Sequence, residues 1–280
     1  MISPEEKEHI LRHAYVPEHL VDLITQISGG EPFLIEDYLC FRGRDWGIII
    51  GYPLAAEFLP DVFQAIASRI LERFRSREAW IIAPSLPPPM SESCLERESD
   101  HYFTLDICGK VAKGRLMRVV EKARQNLTVE RNAAFNPSHQ ELILEFMERV
   151  ELHPRVQKLL LAMPEYVGNS RTSLVLNALD KNGRLTAFYI IDLAAKNFST
   201  YVIGCYSRKN YVPWASDLLF YEMIKLSQEY DKSYIHLGLG VNPGIRRFKQ
   251  KWNGLPTIKY EMCKLVLRKP SLFECLLAKQ

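Results

Sequence analysis

No stretch of the 280 residues approaches the ~18–20 consecutive apolar positions of a membrane-spanning helix, so no integral membrane segment is expected. The first residues, Met1-Ile2-Ser3-Pro4-Glu5-Glu6-Lys7, are acidic and helix-starting, unlike a basic-then-apolar leader. Neither sign of charge dominates. The 36 Lys and Arg stand against 33 Asp and Glu, a net charge of +3. That balance excludes the strongly basic composition of a general DNA binder, and no DNA partner is expected. Gly (14) and Pro (16) are few and scattered, which excludes collagen-like or low-complexity character. The six cysteines include no CxxC pair and none has a His at metal-ligand spacing. Six reduced thiols in a reducing, cytoplasmic compartment are the expectation. No P-loop, HExxH, nucleophile elbow or EF-hand loop occurs, and no metal site is expected.

What is present is an ordinary globular composition, 47 % hydrophobic and 25 % charged. Ser3-Pro4-Glu5-Glu6 joins an N-cap, a Pro at the first helical position and acids in the first turn. Val16-Pro17 divides the helical stretch that Gly29-Gly30 ends. Two strands are expected at Phe33–Phe41 and Trp46–Tyr52. Phe63, Ile66, Ile70 and Phe74 recur at helical spacing, and Trp80–Ala83 is a short apolar strand. From Lys110 to Thr128 the pattern is helical and basic, with Lys110, Lys113, Arg115, Arg118, Lys122 and Arg124. This face suits either solvent or the phosphates of RNA or lipid. Ser138 and Glu141 have capping-box spacing.

The second half is β-rich at Ser173–Leu179, Arg184–Leu193 and Thr200–Tyr206, with Asn182-Gly183 marking a hairpin turn. A helix from Pro213 to Tyr230 leads to a strand at Tyr234–Leu237. A short helix, Gly244–Trp252, a long strand, Thr257–Leu267, and a closing helical turn, Ser271–Leu277, complete the chain. Phe33–Ala83 and Arg184–Leu237 repeat one order: strand, strand, Pro, helix, apolar strand. A helix crossover makes the strands on either side of it parallel. Such a pair can splay at one end and leave backbone N–H groups for a ligand.

The most informative segment runs from Tyr234 through His236, Gly238, Gly240, Asn242, Gly244, Arg246, Arg247, Phe248 and Lys249 to Trp252-Asn253-Gly254. Its glycines fall as GxGxxxG rather than the dinucleotide-binding GxGxxG. A strand running through glycines into a basic helix suits an anion. With Tyr211-Val-Pro213-Trp-Ala215-Ser216-Asp217 before the crossover helix, it resembles a GNAT-type acyltransferase half. More closely, it is similar to the second half of the Fem-type peptidoglycan-bridge aminoacyltransferases and to the soluble part of lysylphosphatidylglycerol synthases. The likeness covers about residues 170–268 and is architectural over 1–130.

The resemblance implies an α/β (α+β) fold of two tandem GNAT-like units, each a mostly antiparallel mixed sheet flanked by helices. The units are expected at 1–130 and 131–280. It implies attack of an amine on an activated acyl group, from acetyl-CoA or another acyl-CoA, or from aminoacyl-tRNA. The acceptor would be a small-molecule or peptide amine. Lys249 matches the family lysine credited with stabilising negative charge, and Phe248 the aromatic before it. Gly238, Gly240, Asn242, Gly244, Arg246 and Arg247 would form the donor end. Tyr206 and His236 are candidates for moving the amine proton, with aromatic packing and a core histidine as their alternatives. Tyr211, Ser216, Asp217 and Trp252 would face substrate, with helix capping as the alternative for Asp217. The coenzyme A loop of ordinary GNATs is replaced by Arg208-Lys-Asn-Tyr211-Val-Pro213, which weakens coenzyme A as donor and keeps a non-catalytic binding module as the rival reading.

Overall fold

A computed structural model describes residues 2–74, 76–109, 114–132 and 134–267. Ser3 caps α1 (Pro4–His13) in a full capping box, its hydroxyl taking the Glu6 N–H at 3.1 Å while Glu6 takes the Ser3 N–H at 2.7 Å. A 3₁₀ turn at Pro17–His19 and α2 (Val21–Ser28) come next. The run expected as one strand over Phe33–Phe41 is a hairpin of β1 (Glu31–Ile35) and β2 (Tyr38–Arg42), because Glu36 turns the chain at φ +53°. Then come β3 (Trp46–Ile50), α3 (Pro60–Phe74), β4 (Glu78–Ala83), α4 (Pro88–Glu92) and β5 (Glu96–Asp106).

The basic segment forms only a short helix, α5 (Arg115–Arg124). Leu127 and Thr128, expected as its tail, open strand β6 (Leu127–Arg131), paired antiparallel further along the chain. Lys110 and Lys113 lie outside the described residues. α6 (Pro137–Arg149) is capped by Asn136 with His139, not by Ser138 with Glu141. The Asn136 side chain accepts the Ser138 N–H, and His139 Nδ1 accepts the Asn136 N–H. The remaining elements are α7 (Pro154–Asn169), β7 (Ser173–Asp180), β8 (Leu185–Asp192), β9 (Phe198–Tyr206), α8 (Ala215–Glu229), β10 (Tyr234–Leu239), α9 (Pro243–Lys251) and β11 (Leu255–Val266). The expected turn at Ser271–Leu277 lies outside the described residues.

The chain divides into two compact units: the described residues of Met1–Tyr102 with Thr257–Gln280, and those of Phe103–Pro256. It leaves the first unit inside β5 and re-enters it inside β11. The boundary expected between 130 and 131 falls within the second unit, inside β6, which pairs with β7. The first unit has strand order β1-β2-β3-β4-β11-β5, with β3 and β4 parallel and β11 antiparallel to β4. Its core sets Phe63, Ile66, Ile70 and Phe74 of α3, the face expected from their spacing, against Cys40, Ile49, Ile81 and Cys263. Cys94 and Cys263 form a disulfide, which corrects the expectation of six thiols. The turn after α4 brings Cys94 against β11, a pairing between distant segments that spacing does not reveal. Cys275 lies outside the described residues.

The second unit has strand order β5-β10-β9-β8-β7-β6. Leu218, Leu219, Met223 and Ile224 of α8 pack on Leu176, Ala178, Tyr189 and Ile191. Glu222 of α8 accepts Arg124 of α5 at 2.9 Å and Arg131 of β6 at 2.8 Å. Burial alone would raise its pKa. The two guanidinium groups outweigh burial, and the net shift is downward.

In the first unit His19 is fully buried. Its Nε2 donates to the Tyr52 carbonyl at 3.0 Å and its Nδ1 accepts the Tyr15 N–H at 3.4 Å. Burial lowers its pKa to about 4 against the upward pull of the Tyr52 bond. An unfolded chain takes up this proton near pH ~6.5, so the contribution to stability is complete above that pH and is lost as pH falls toward the folded value. The expected outcome is a urea-unfolding free energy that declines from pH 7 to pH 5, with a shallower decline in His19→Gln. Equal slopes in the two proteins would remove His19 as the source.

Candidate functional site

The crossover through α8 makes β9 and β10 parallel, as their connection requires. They pair at only three positions: Phe198 with Tyr234, Ser199 with Ile235 and Thr200 with His236. β9 then runs on to Tyr206 and β10 to Leu239 without further pairing to each other. The register of β9 against β8 shifts at the same level, since Ile191 faces Tyr201 while Ile190 faces Ile203, leaving Val202 as a bulge. A bulge bends its strand and re-aims the side chains beyond it. The corresponding strands of the first unit, β3 and β4, pair at five positions, and the Gly51 N–H continues the ladder to the Ile82 carbonyl at 2.7 Å. The crevice is therefore open in the second unit and zipped in the first.

The end of β10 carries the informative segment. Gly238 holds φ +72°, a conformation that strains other residues, and its N–H donates to His236 Nδ1 at 3.2 Å. His236 is itself fully buried. The Asn242 N–H donates to the Gly240 carbonyl at 2.6 Å, and the Asn242 side chain caps α9 by accepting the Ile245 N–H at 2.9 Å. Gly244, Arg246 and Arg247 are exposed on α9. Lys249, one turn on, is buried, with 5 % exposure. Its Nζ donates to the Leu239 carbonyl at 2.5 Å and lies 5.5 Å from the centre of the Phe103 ring. His236, Gly238 and Lys249 are thus gathered at the end of β10 where it leaves β9.

Asp217 and Trp252 are hydrogen-bonded to each other. Asp217 lies in the first turn of α8, 6 % exposed, and its Oδ1 accepts both the Trp252 indole N–H at 3.0 Å and Lys251 Nζ at 2.5 Å. Trp252 is fully buried, and it and Phe248 both pack on Phe220, at 5.0 and 5.4 Å between ring centres. These contacts tie α9 to α8 and give Asp217, Phe248 and Trp252 an anchoring position. The Ser216 carbonyl accepts the Tyr189 hydroxyl at 3.0 Å. Tyr206 and Tyr211 form an edge-to-face pair at 6.5 Å, with Tyr211 exposed.

Three residues of this region carried no signal in the sequence. Phe103 provides the ring beside Lys249. Arg149, at the end of α6, stacks its guanidinium 4.5 Å from the centre of the Tyr206 ring. Glu145, one turn earlier on α6, accepts the Ser207 hydroxyl and the Arg208 N–H. The helical pattern of α6 marks only its core face, and partners on other elements are set by tertiary packing. Among the described residues no group of three or more His, Cys, Asp or Glu side chains is placed to hold a metal ion, and no helix is long and apolar enough to cross a membrane.

No family model and no curated protein matches the sequence. The fold has close counterparts among solved structures. One is L-PGS from Bacillus licheniformis, with a TM-score of 0.61 and 13 % identity over 99 % of this chain and 96 % of that one. Another is FemX, with a TM-score of 0.63 and 11 % identity over 92 % and 94 %. A third is a tandem GNAT protein from the clavulanic acid biosynthesis pathway, with a TM-score of 0.52 and 8 % identity over 84 % and 79 %. The fold is a tandem GNAT-like one. Its likeness to Fem-type and L-PGS structures, first carried by residues 170–268, extends over nearly the whole chain.

In this GNAT-like second unit, α9 is held by the Asp217 carboxylate. Asp217→Ala leaves the buried Trp252 indole without its acceptor and is expected to lower stability by about 2–3 kcal/mol. Urea unfolding monitored by tryptophan fluorescence measures this. A wild-type midpoint in the variant would show that Asp217 does not anchor α9.

Proposed function

We propose that the second unit transfers an acyl or aminoacyl group to an amine, with the activated carbonyl seated where β9 and β10 part. The observation that carries this reading is the contrast between the two crossovers. β9 and β10 stop pairing at Thr200 and His236, short of the ends of both strands, whereas the β3–β4 ladder runs to Ile50, the end of β3. Strands that separate expose backbone donors toward a carbonyl oxygen, and such donors favour the negative charge that develops there during acyl transfer. Lys249 supplies a positive charge beside these donors, fixed by the Leu239 carbonyl and the Phe103 ring.

The amine nitrogen bonds to the acyl carbon, the ester or thioester bond breaks, and the amine proton ends on the departing oxygen or sulfur. Of the proton-moving candidates, His236 has its Nδ1 engaged by Gly238, and Tyr206 ends β9 beneath Arg149. Gly238, Gly240, Asn242 and Gly244, with exposed Arg246 and Arg247, form the donor side. Tyr211 and Ser216 border the acceptor side. The donor is an aminoacyl-tRNA or an acyl-CoA, and the acceptor a small-molecule or peptide amine. The likeness of the fold to L-PGS and FemX supports the aminoacyl form.

The test is a transfer assay of the full chain with radiolabelled aminoacyl-tRNA or acetyl-CoA and a panel of amines, comparing wild type with Lys249→Met. Loss of one oxyanion-stabilising group is expected to reduce kcat about 10²–10³-fold. Equal rates in the two proteins would remove Lys249 from the chemistry. Ligand binding without transfer by the wild type would favour the non-catalytic module.

A further inference from the structure

The loop that follows β9 already holds an anion, and the anion belongs to the protein. Backbone N–H groups between a strand end and a helix N-terminus are a common seat for phosphate in α/β folds. Here the Glu145 carboxylate occupies that seat from α6. Its Oε1 accepts the Arg208 N–H at 2.6 Å and its Oε2 accepts the Ser207 hydroxyl at 2.9 Å. Ser207 Oγ in turn accepts the Asn210 N–H at 3.0 Å, so the loop curls around the carboxylate. Burial alone would raise the Glu145 pKa. The donors of Arg208 and Ser207 outweigh burial and hold it below the usual range, so the group is charged at neutral pH.

The seat is reachable. Glu145, Ser207, Lys209 and Asn210 line a cleft of about 720 Å³ in the second unit. Further carboxylates, among them Glu130 and Glu148, line the same cleft and make it unfavourable to polyanions.

We propose that Glu145 is an internal counter-anion that keeps the β9–α8 loop closed to phosphate. A donor carrying a pyrophosphate, such as a coenzyme A thioester, is refused at this loop, and removing the carboxylate turns the loop into a phosphate site. The inference narrows the donor of the proposed transfer reaction, but it concerns binding and is tested without any transfer assay.

The experiment is isothermal titration of the full chain with inorganic pyrophosphate and with coenzyme A, using wild type, Glu145→Ala and Glu145→Gln. Wild type is expected to bind neither ligand more tightly than about 1 mM. Glu145→Ala is expected to bind both at least about tenfold more tightly, since the freed donors then meet a charged acceptor. Glu145→Gln keeps an acceptor for the Arg208 N–H and so protects the fold. It is expected to gain affinity in the same direction by less, and it decides the matter if the alanine variant does not fold. Micromolar coenzyme A binding by wild type overturns the proposal. So does a folded variant that binds pyrophosphate no better than wild type. Either result leaves the Lys249 comparison intact, so failure here is distinguishable from failure of the transfer reading.

Discussion

Two strands joined through a packed helix run parallel, and a parallel pair shares backbone hydrogen bonds only while both strands keep the same twist and spacing. In the second unit that condition ends at Thr200 and His236. The bulge at Val202 carries β9 off its line just beyond this point. Gly238, with its positive φ, turns β10 toward α9. The burial of Lys249 against the Leu239 carbonyl, the cap that Asn242 places on α9, and the gap in which a carbonyl is proposed to sit all depend on this parting. The first unit keeps the same order of elements without the parting. Gly51 extends its ladder instead, so the repeated order of elements does not repeat the gap.

α8 is the element that fixes this region. Asp217, in its first turn, holds α9 through Trp252 and Lys251. Glu222, further along, holds α5 and β6 through Arg124 and Arg131. Ser227, near its end, meets Ser199 of β9 at 2.6 Å between hydroxyl oxygens. Three polar side chains that are nearly or fully buried on one helix thus bind it to its neighbours. Each is hydrogen-bonded, as the cost of burying an unpaired polar group requires.

The elements that were legible in the sequence are those whose pattern is local. The Phe63, Ile66, Ile70 and Phe74 face, the Asn182-Gly183 turn and the strand–glycine–helix segment each sit where spacing and turn chemistry place them. The parallel crossover was legible too, because handedness and connection length leave little choice. β6 was not, since its first residues, Leu127 and Thr128, fall in the stretch read as helix and the strand is marked by its pairing with the distant β7. The Asn136 cap was missed because His139 can take the place of Glu or Gln in closing a capping box. Asp217 was weighed as a capping or amine-binding residue, and its actual partners, Trp252 and Lys251, lie more than thirty positions away. Glu145, Arg149 and the Cys94–Cys263 bridge are likewise pairings between distant segments, and such pairings leave no trace in the local order of residues.

The route of the chain through β5 and β11 has a consequence for synthesis. Most of the first unit precedes the second unit in the chain, yet β11, which lies between its β4 and β5, follows it. The second unit, by contrast, is an uninterrupted segment, Phe103–Pro256. Domains fold as units while they emerge. Until β11 arrives, the facing edge of β4 has no partner in the register that Glu261–Val266 later supply. The first unit is therefore begun before the second and completed after it, and the bond from Cys94 to Cys263 joins the segment made before the second unit to the one made after it.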